Sequence, residues 1–223
     1  MNRTIITLLA GVAALGFAST TYAADLIVDS PMMAPAYSAP AGGNWDGVYV
    51  GAFAGYGWGT LTDDEGYWNG IDGEEFDAEG WTVGVTAGAN FTVSEAIVAG
   101  IAADLAWADI GGDQDDGDLT YNTNWTGSIR GRLGFDGGAF LPYVTAGLAF
   151  ANNTVNDVGF EEDTQTHIGW TAGVGVEFAV ADNVSLDLQY RYSDYGSKTY
   201  DIDGGYEFGL TSHAVTAGIN FKF

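Results

Sequence analysis

Residues 44–59 read NWDGVYVGAFAGYGWG and alternate two kinds of side chain at every second position. One face collects mostly larger apolar residues, namely Val48, Val50, Ala52, Ala54, Tyr56 and Trp58. The other face collects glycines and aromatic rings, namely Tyr49, Gly51, Phe53, Gly55 and Gly57. Successive side chains of a β-strand point to opposite faces, so this period of two predicts a strand with two chemically different faces.

The same alternation returns along the rest of the chain, while no helical period competes with it. It gives seven further predicted strands, near 80–92, 97–108, 120–135, 140–151, 166–180, 183–194 and 211–223. The composition agrees, because 34 glycines and 14% aromatic residues favour closely packed strands over helices. Without any cysteine the chain has neither a disulfide framework nor a cysteine-based metal site, so the sheet itself must provide the stability.

The predicted connections differ in length from one end of the strands to the other. Tight turns fall at Ser94, Asp136 and Asp182, whereas long loops span 60–79, 109–119, 152–165 and 195–210. Short turns at one end and long loops at the other are typical of an up-and-down meander in the outer membrane. We therefore predict an all-β fold, an eight-stranded antiparallel up-and-down transmembrane β-barrel.

A soluble barrel such as a lipocalin would turn the larger apolar face inward, and a period of two is compatible with that alternative. The charged residues favour the opposite arrangement, because all charges within the predicted strands except Asp194, at the long-loop end of its strand, lie on the small-residue face: Asp104, Arg130, Arg132, Glu177, Asp187, Arg191 and Lys222. A basic side chain facing lipid at mid-depth would cost about 2–4 kcal/mol. These residues are therefore predicted to form a charge network in the lumen.

Aromatic residues on the apolar face cluster at both ends of the strands, which matches the two girdles of a membrane barrel. The girdle at the long-loop end comprises Tyr56, Trp58, Trp81, Trp107, Tyr121, Trp170 and Tyr192, and the one at the tight-turn end comprises Phe91, Phe135, Phe178, Phe221 and Phe223. Most of the 30 acidic residues fall in the long loops, which we place on the cell surface. Residues 1–23 are predicted to be a secretory signal peptide, with Arg3 before a short apolar run and small residues at the cleavage site. Residues 24–43 form an Ala/Pro-rich linker, and 44–223 form the barrel.

The first-strand motif at 44–59, the short Ala/Pro linker before it and the terminal Phe223 resemble a known group of proteins. They are similar to the small outer-membrane barrels of alphaproteobacteria, a porin-like group related to the opacity proteins and to the OmpA-like transmembrane barrel. The resemblance implies an envelope protein without enzymatic chemistry, located in the bacterial outer membrane. It also implies that Phe223 is the signal read by the barrel assembly machinery.

Three patterns that imitate functional sites are better explained by the strands and loops around them. The glycines of GYGWG at 55–59 precede no helix, so a phosphate-binding loop is not predicted. His167 and His213 point to opposite faces by strand parity, so they form no catalytic pair. The acidic run at 111–118 lacks the spacing of a calcium loop, although weak Ca²⁺ or Mg²⁺ association at the loops remains open. We predict no enzyme activity, no resident cofactor and no metal site.

An eight-stranded barrel is only wide enough for side chains to fill it, which disfavours a broad pore. The first functional hypothesis is a structural protein that supports envelope integrity and presents acidic surface loops. The alternatives are a narrow channel for small solutes and a surface module for ligand binding or adhesion. Expected partners are outer-membrane lipids and lipopolysaccharide, the assembly machinery during insertion and divalent cations at the loops. The net charge of −24 argues against nucleic acid.

Overall fold

A computed structural model describes residues 44–63, 74–113, 119–157, 163–200 and 206–223. The predicted signal peptide at 1–23 and the linker at 24–43 lie outside the described residues. The described chain forms eight strands, β1 (Gly47–Asp63), β2 (Glu74–Ser94), β3 (Ile97–Asp113), β4 (Leu119–Phe135), β5 (Phe140–Asp157), β6 (Asp163–Ala181), β7 (Val184–Tyr200) and β8 (Tyr206–Lys222). In this part of the chain no helix is long and apolar enough to cross a membrane.

The strands close into one barrel in sequence order, and each strand pairs antiparallel with its neighbours. The seam is formed by β1 and β8, from the pair Tyr49 and Lys222 to the pair Asp63 and Phe208. Because closure leaves no free edge, every strand satisfies its backbone groups by pairing within the sheet, as a membrane requires. The predicted fold class is confirmed.

The three tight turns lie at the same end of the barrel as the start of β1 and the end of β8. The turn after β4 shows how the sequence specifies them. The Asp136 carboxylate accepts a 2.8 Å hydrogen bond from the backbone amide of Gly138, whose φ of 80° lies in the left-handed region that glycine adopts without steric cost. In outer-membrane barrels this end faces the periplasm, so we call it the periplasmic end and the opposite one the surface end.

The strands are longer at the surface end than the alternation predicts, and this corrects the predicted loops. The second strand begins at Glu74 instead of residue 80, and the seventh continues to Tyr200 instead of residue 194. Lipid ends at the aromatic girdle, so outward residues beyond it no longer need to be apolar, while the backbone ladder continues. The segments at 64–73, 114–118, 158–162 and 201–205 lie outside the described residues.

The two faces divide as the alternation predicts. Large apolar side chains are exposed on the outer wall, with Ile129 61% and Leu148 62% accessible, as lipid-facing residues must be. Four inward-facing aromatic rings lie directly across the ladder from a glycine, in the pairs Tyr49 and Gly88, Phe53 and Gly84, Phe150 and Gly127, and Tyr143 and Gly175. A Cβ at Gly127 would stand 2.2 Å from the Phe150 ring, so these glycines make room for rings in a narrow lumen.

Two glycines on neighbouring strands offer a matched test of this close packing. A Cβ at Gly147 would stand 2.1 Å from the carbonyl oxygen of Ile129 and 2.6 Å from the Cα of Arg130, both of which are backbone atoms. A Cβ at Gly131 would meet only the Ala146 carbonyl oxygen, at 3.8 Å. We expect Gly147→Ala to destabilise the barrel by about 1–3 kcal/mol and Gly131→Ala to leave it nearly unchanged. Urea midpoints in lipid vesicles measure both, and equal midpoints would contradict the packing argument.

Candidate functional site: the charged lumen and its periplasmic plug

The ion-paired cluster nearer the surface end of the lumen consists of a single carboxylate shared between two arginines. Asp104 Oδ2 lies 2.6 Å from Arg130 Nη2 and 3.0 Å from Arg191 Nη1, and it accepts a 2.5 Å hydrogen bond from Ser128 Oγ. The Asp104 side chain is only 1% exposed. A buried carboxylate is tolerated when it is paired and its lone pairs accept hydrogen bonds, which these three partners provide.

A second ion pair lies nearer the periplasmic end. Arg132 Nη2 lies 2.5 Å from Glu177 Oε2, and the guanidinium carbon stands 3.8 Å from the centre of the Tyr143 ring. The other oxygen of Glu177 accepts hydrogen bonds from Ser185 Oγ and, at 3.2 Å, from Asn220 Nδ2. This pair therefore joins β4 to β6, β7 and β8 across the barrel interior.

Neutral side chains connect Arg130, in the cluster around Asp104, to Asp187. Arg130 Nη1 donates to Gln189 Oε1 at 2.8 Å, and Gln189 Nε2 donates to the Tyr143 hydroxyl at 3.0 Å. That hydroxyl donates to Asp187, whose two carboxylate oxygens lie 2.7 and 2.9 Å away. Gln189, Tyr143 and Ser128 carry no formal charge, so they are not among the lumen residues predicted from the sequence. Their inward parity on the predicted strands is the signal that finds them.

Lys222 is buried at the periplasmic mouth of the lumen. Its Nζ donates a 2.8 Å hydrogen bond to the Asn44 carbonyl oxygen and stands 4.6 Å from the centre of the Trp45 ring. Strand parity predicts that Lys222 belongs with the lumen charges, and its buried side chain also contacts the segment that enters β1.

Trp45 closes this mouth. It is 1% exposed and packs with Val98 and Leu141, and we call these three residues the periplasmic plug. Its indole nitrogen donates to Asp136 Oδ1 at 3.2 Å, in the turn after β4. The sequence placed this residue only at the start of the barrel, since a tryptophan before a strand gives no sign of folding back into the mouth.

Little space is left between these groups. Two small voids of about 30 Å³ and about 20 Å³ lie around Asp187, Gln189 and Arg130. A water molecule needs at least about 10–15 Å³ of such space, so each void has room for one or two waters. The described lumen is therefore a packed polar core with isolated water-sized spaces.

The other predicted sites take up the following positions. His167 is fully buried in the lumen, whereas His213 lies on the lipid-facing wall, bonded to Tyr190. Phe223 is 79% exposed, and its backbone amide donates to the Val48 carbonyl oxygen at 3.0 Å. The acidic run at 111–118 falls mostly outside the described residues. Within the described ranges no three of His, Asp or Glu approach closely enough to hold a metal ion.

A closed barrel with an apolar outer wall, a charged and packed lumen and tight turns at one end defines an integral β-barrel protein of the bacterial outer membrane. The family comparison agrees, since residues 30–223 match the family described as outer membrane protein beta-barrel domain. The chain belongs to this family.

Two relatives match over most of their length. The 22 kDa outer membrane protein of Rhizobium leguminosarum bv. viciae is 36% identical over 182 residues, covering 81% of this chain and 79% of that protein. The 25 kDa outer-membrane immunogenic protein of Brucella abortus biovar 1 (strain 9-941) is 35% identical over 216 residues, covering 95% and 94%. The predicted kinship with alphaproteobacterial outer-membrane barrels and the predicted location are confirmed.

Solved structures share the fold at lower identity. Neisserial surface protein A superposes with a TM-score of 0.51 at 22% identity, covering 79% of this chain and 97% of that one. OprG of Pseudomonas aeruginosa gives a TM-score of 0.50 at 14% identity, covering 81% and 98%. At these identities the likeness concerns the architecture alone.

Proposed function

We propose that this protein is a structural, non-conducting barrel that supports the integrity of the outer membrane and presents acidic segments at the cell surface. The observation that carries the proposal is the filled lumen. Two ion-paired clusters cross the barrel above a plug of Trp45, Val98 and Leu141, and the voids between them are water-sized. A solute would have to break buried ion pairs to pass, and each break leaves an uncompensated charge.

The surface end supports the second half of the proposal. The exposed side chains of Asp77, Glu79 and Asp109 lie on β2 and β3 beyond the aromatic girdle, where lipid headgroups are found. Divalent cations would bridge such carboxylates to lipopolysaccharide phosphates, and we include both among the proposed partners. The Brucella relatives are named immunogenic proteins, which is consistent with segments accessible from outside. We also include the barrel assembly machinery as a partner during insertion, with Phe223 as the residue that it recognises.

The proposal includes the absence of enzymatic chemistry. The two histidines lie on opposite faces of the wall, one inside the lumen and one toward lipid. The lumen carboxylates Asp104 and Glu177 are engaged by arginines. A general base needs a position from which it can reach a substrate proton, and a carboxylate locked in a packed core has no such position.

Single-channel recording of the refolded mature protein in a planar bilayer tests the proposal. We expect no reproducible unitary steps from protein whose folding is verified by heat-modifiable gel mobility. A porin recorded in the same bilayer provides the positive control. Unitary steps whose size changes in Arg132→Ala would instead support the alternative of a narrow channel governed by the lumen charges.

A further inference from the structure

A histidine on the lipid-facing wall is the starting observation. His213 lies on β8 at the level of the surface-end girdle, and its ring stacks on Trp58 with centroids 5.6 Å apart and planes inclined by 10°. The Tyr192 ring is 5.1 Å away, and the Tyr190 hydroxyl lies 2.8 Å from His213 Nδ1. We call these four residues the histidine cluster. An ionisable side chain on a membrane-spanning wall is by default a candidate for a functional site.

A groove in the same wall is the second observation. It is a shallow, open depression in the outer wall over β4 to β7, bounded by lipid-facing residues such as Leu133, Val144, Val174 and Tyr192. Its floor is a row of small residues paired across the ladder, Gly131, Ala146 and Ala172. Bulkier rows flank it, with Leu133, Val144 and Val174 on one side and Ile129, Leu148 and Trp170 on the other.

The strand register joins the two features. The row of small residues continues from Ala172 to Tyr192, then to His213 and Trp58. Because strands of membrane barrels are tilted by about 35–45°, a row that runs across them climbs through the bilayer. The groove therefore rises from the middle of the wall toward the histidine cluster at the headgroup level.

We propose that the groove and the histidine cluster form one binding site for a phosphate-bearing lipid of the outer leaflet. A saturated acyl chain lies in the groove, and the phosphate binds His213 and the neighbouring Tyr190 hydroxyl. Tyr190 engages Nδ1, so Nε2 is the ring nitrogen that binds the phosphate. An imidazole N–H and a tyrosine hydroxyl suit a phosphate group, whose charged oxygens accept charge-assisted hydrogen bonds.

The dimensions favour a lipid chain over a second copy of the protein. Three strand spacings give a groove about 14 Å long, and flanking rows two residues from its floor leave a width of about 7 Å on either side. One hydrocarbon chain fits this shape. A stable protein interface needs about 800 Å² on each partner, several times what such a groove provides. The site is on the outer wall, so it goes beyond the proposed structural role and does not depend on a closed lumen.

Native mass spectrometry of the refolded mature barrel in neutral detergent tests the site with dipalmitoyl phosphatidic acid as the probe. We expect the unmodified barrel to retain one lipid, and retention to fall about tenfold in Ala172→Leu, which fills the groove, and in His213→Gln, which removes the imidazole. Ala87→Leu, an exposed alanine on β2 outside the groove, is the matched control and should retain the lipid. Ala146→Leu repeats the groove test should Ala172→Leu refold poorly.

Dipalmitoylglycerol, which lacks the phosphate, should bind about as weakly to the unmodified barrel as phosphatidic acid binds to His213→Gln. Inorganic phosphate alone should not displace the lipid, because the chain contributes through the groove. Equal retention by all variants, or equal loss in Ala87→Leu, would show general lipid solvation and overturn the proposal. Light scattering that finds a dimer abolished by Ala172→Leu would overturn it in favour of a second copy in the groove.

Discussion

Replacing Arg132 by leucine is expected to lower the free energy of unfolding by about 3–5 kcal/mol, one of the two largest effects we predict for a single side chain. The substitution replaces the guanidinium side chain by a shorter apolar one and leaves Glu177 in a site where its side chain is 1% exposed. The bonds from Ser185 and Asn220 remain, yet two neutral donors do not compensate a buried charge. Urea unfolding in lipid vesicles, followed by gel mobility, gives the midpoint.

The double variant Arg132→Leu with Glu177→Gln separates the charge from the packing. Removing both charges should restore much of the lost free energy of unfolding, since a neutral pair in the same space carries no uncompensated charge. Leu133→Ala, one position along and facing lipid, is a control for general weakening of β4. Equal midpoints for the unmodified protein and Arg132→Leu would mean that the ion pair does not hold the lumen together.

The fold could be predicted because it depends on a local pattern repeated eight times. Alternation in stretches such as 80–92 and 120–135 fixes which face each residue joins, and tight turns fix which strands are neighbours. The positions of Arg130 and Asp104 inside the barrel follow from the same parity. What parity could not give is the partner of each charge, because that depends on barrel closure and on the stagger between strands.

The contacts missed by the sequence analysis are of two kinds. Gln189 and Tyr143 are neutral, so a search for formal charges passes over them although they link Arg130 to Asp187. The groove below His213 depends on four strands being in register, since Gly131 and Tyr192 are far apart in sequence and meet only through the ladder. Strand extension beyond the girdle was missed because the apolar signal ends with the lipid, while backbone pairing does not.

Replacing Trp45 by alanine is expected to destabilise the barrel by about 3–5 kcal/mol, as is usual when a large buried ring is removed. It would leave a cavity against Val98 and Leu141 and remove the ring beneath the Lys222 ammonium group. Trp45→Phe keeps a ring there and loses mainly the bond to Asp136, so it should cost about 1 kcal/mol. Urea midpoints in vesicles measure both variants.

Phe140→Ala is the matched control, because it removes an aromatic ring at the same end from the lipid-facing side. Lipid fills that space and no cavity remains, so the loss should be smaller than for Trp45→Ala. Planar-bilayer recording of Trp45→Ala then distinguishes the two barriers to passage. We expect no unitary conductance steps, because the ion pairs at Asp104 and Glu177 still fill the lumen without the plug. Unitary steps in this variant would show that the plug alone keeps the barrel closed and that the lumen charges line a path instead of blocking it.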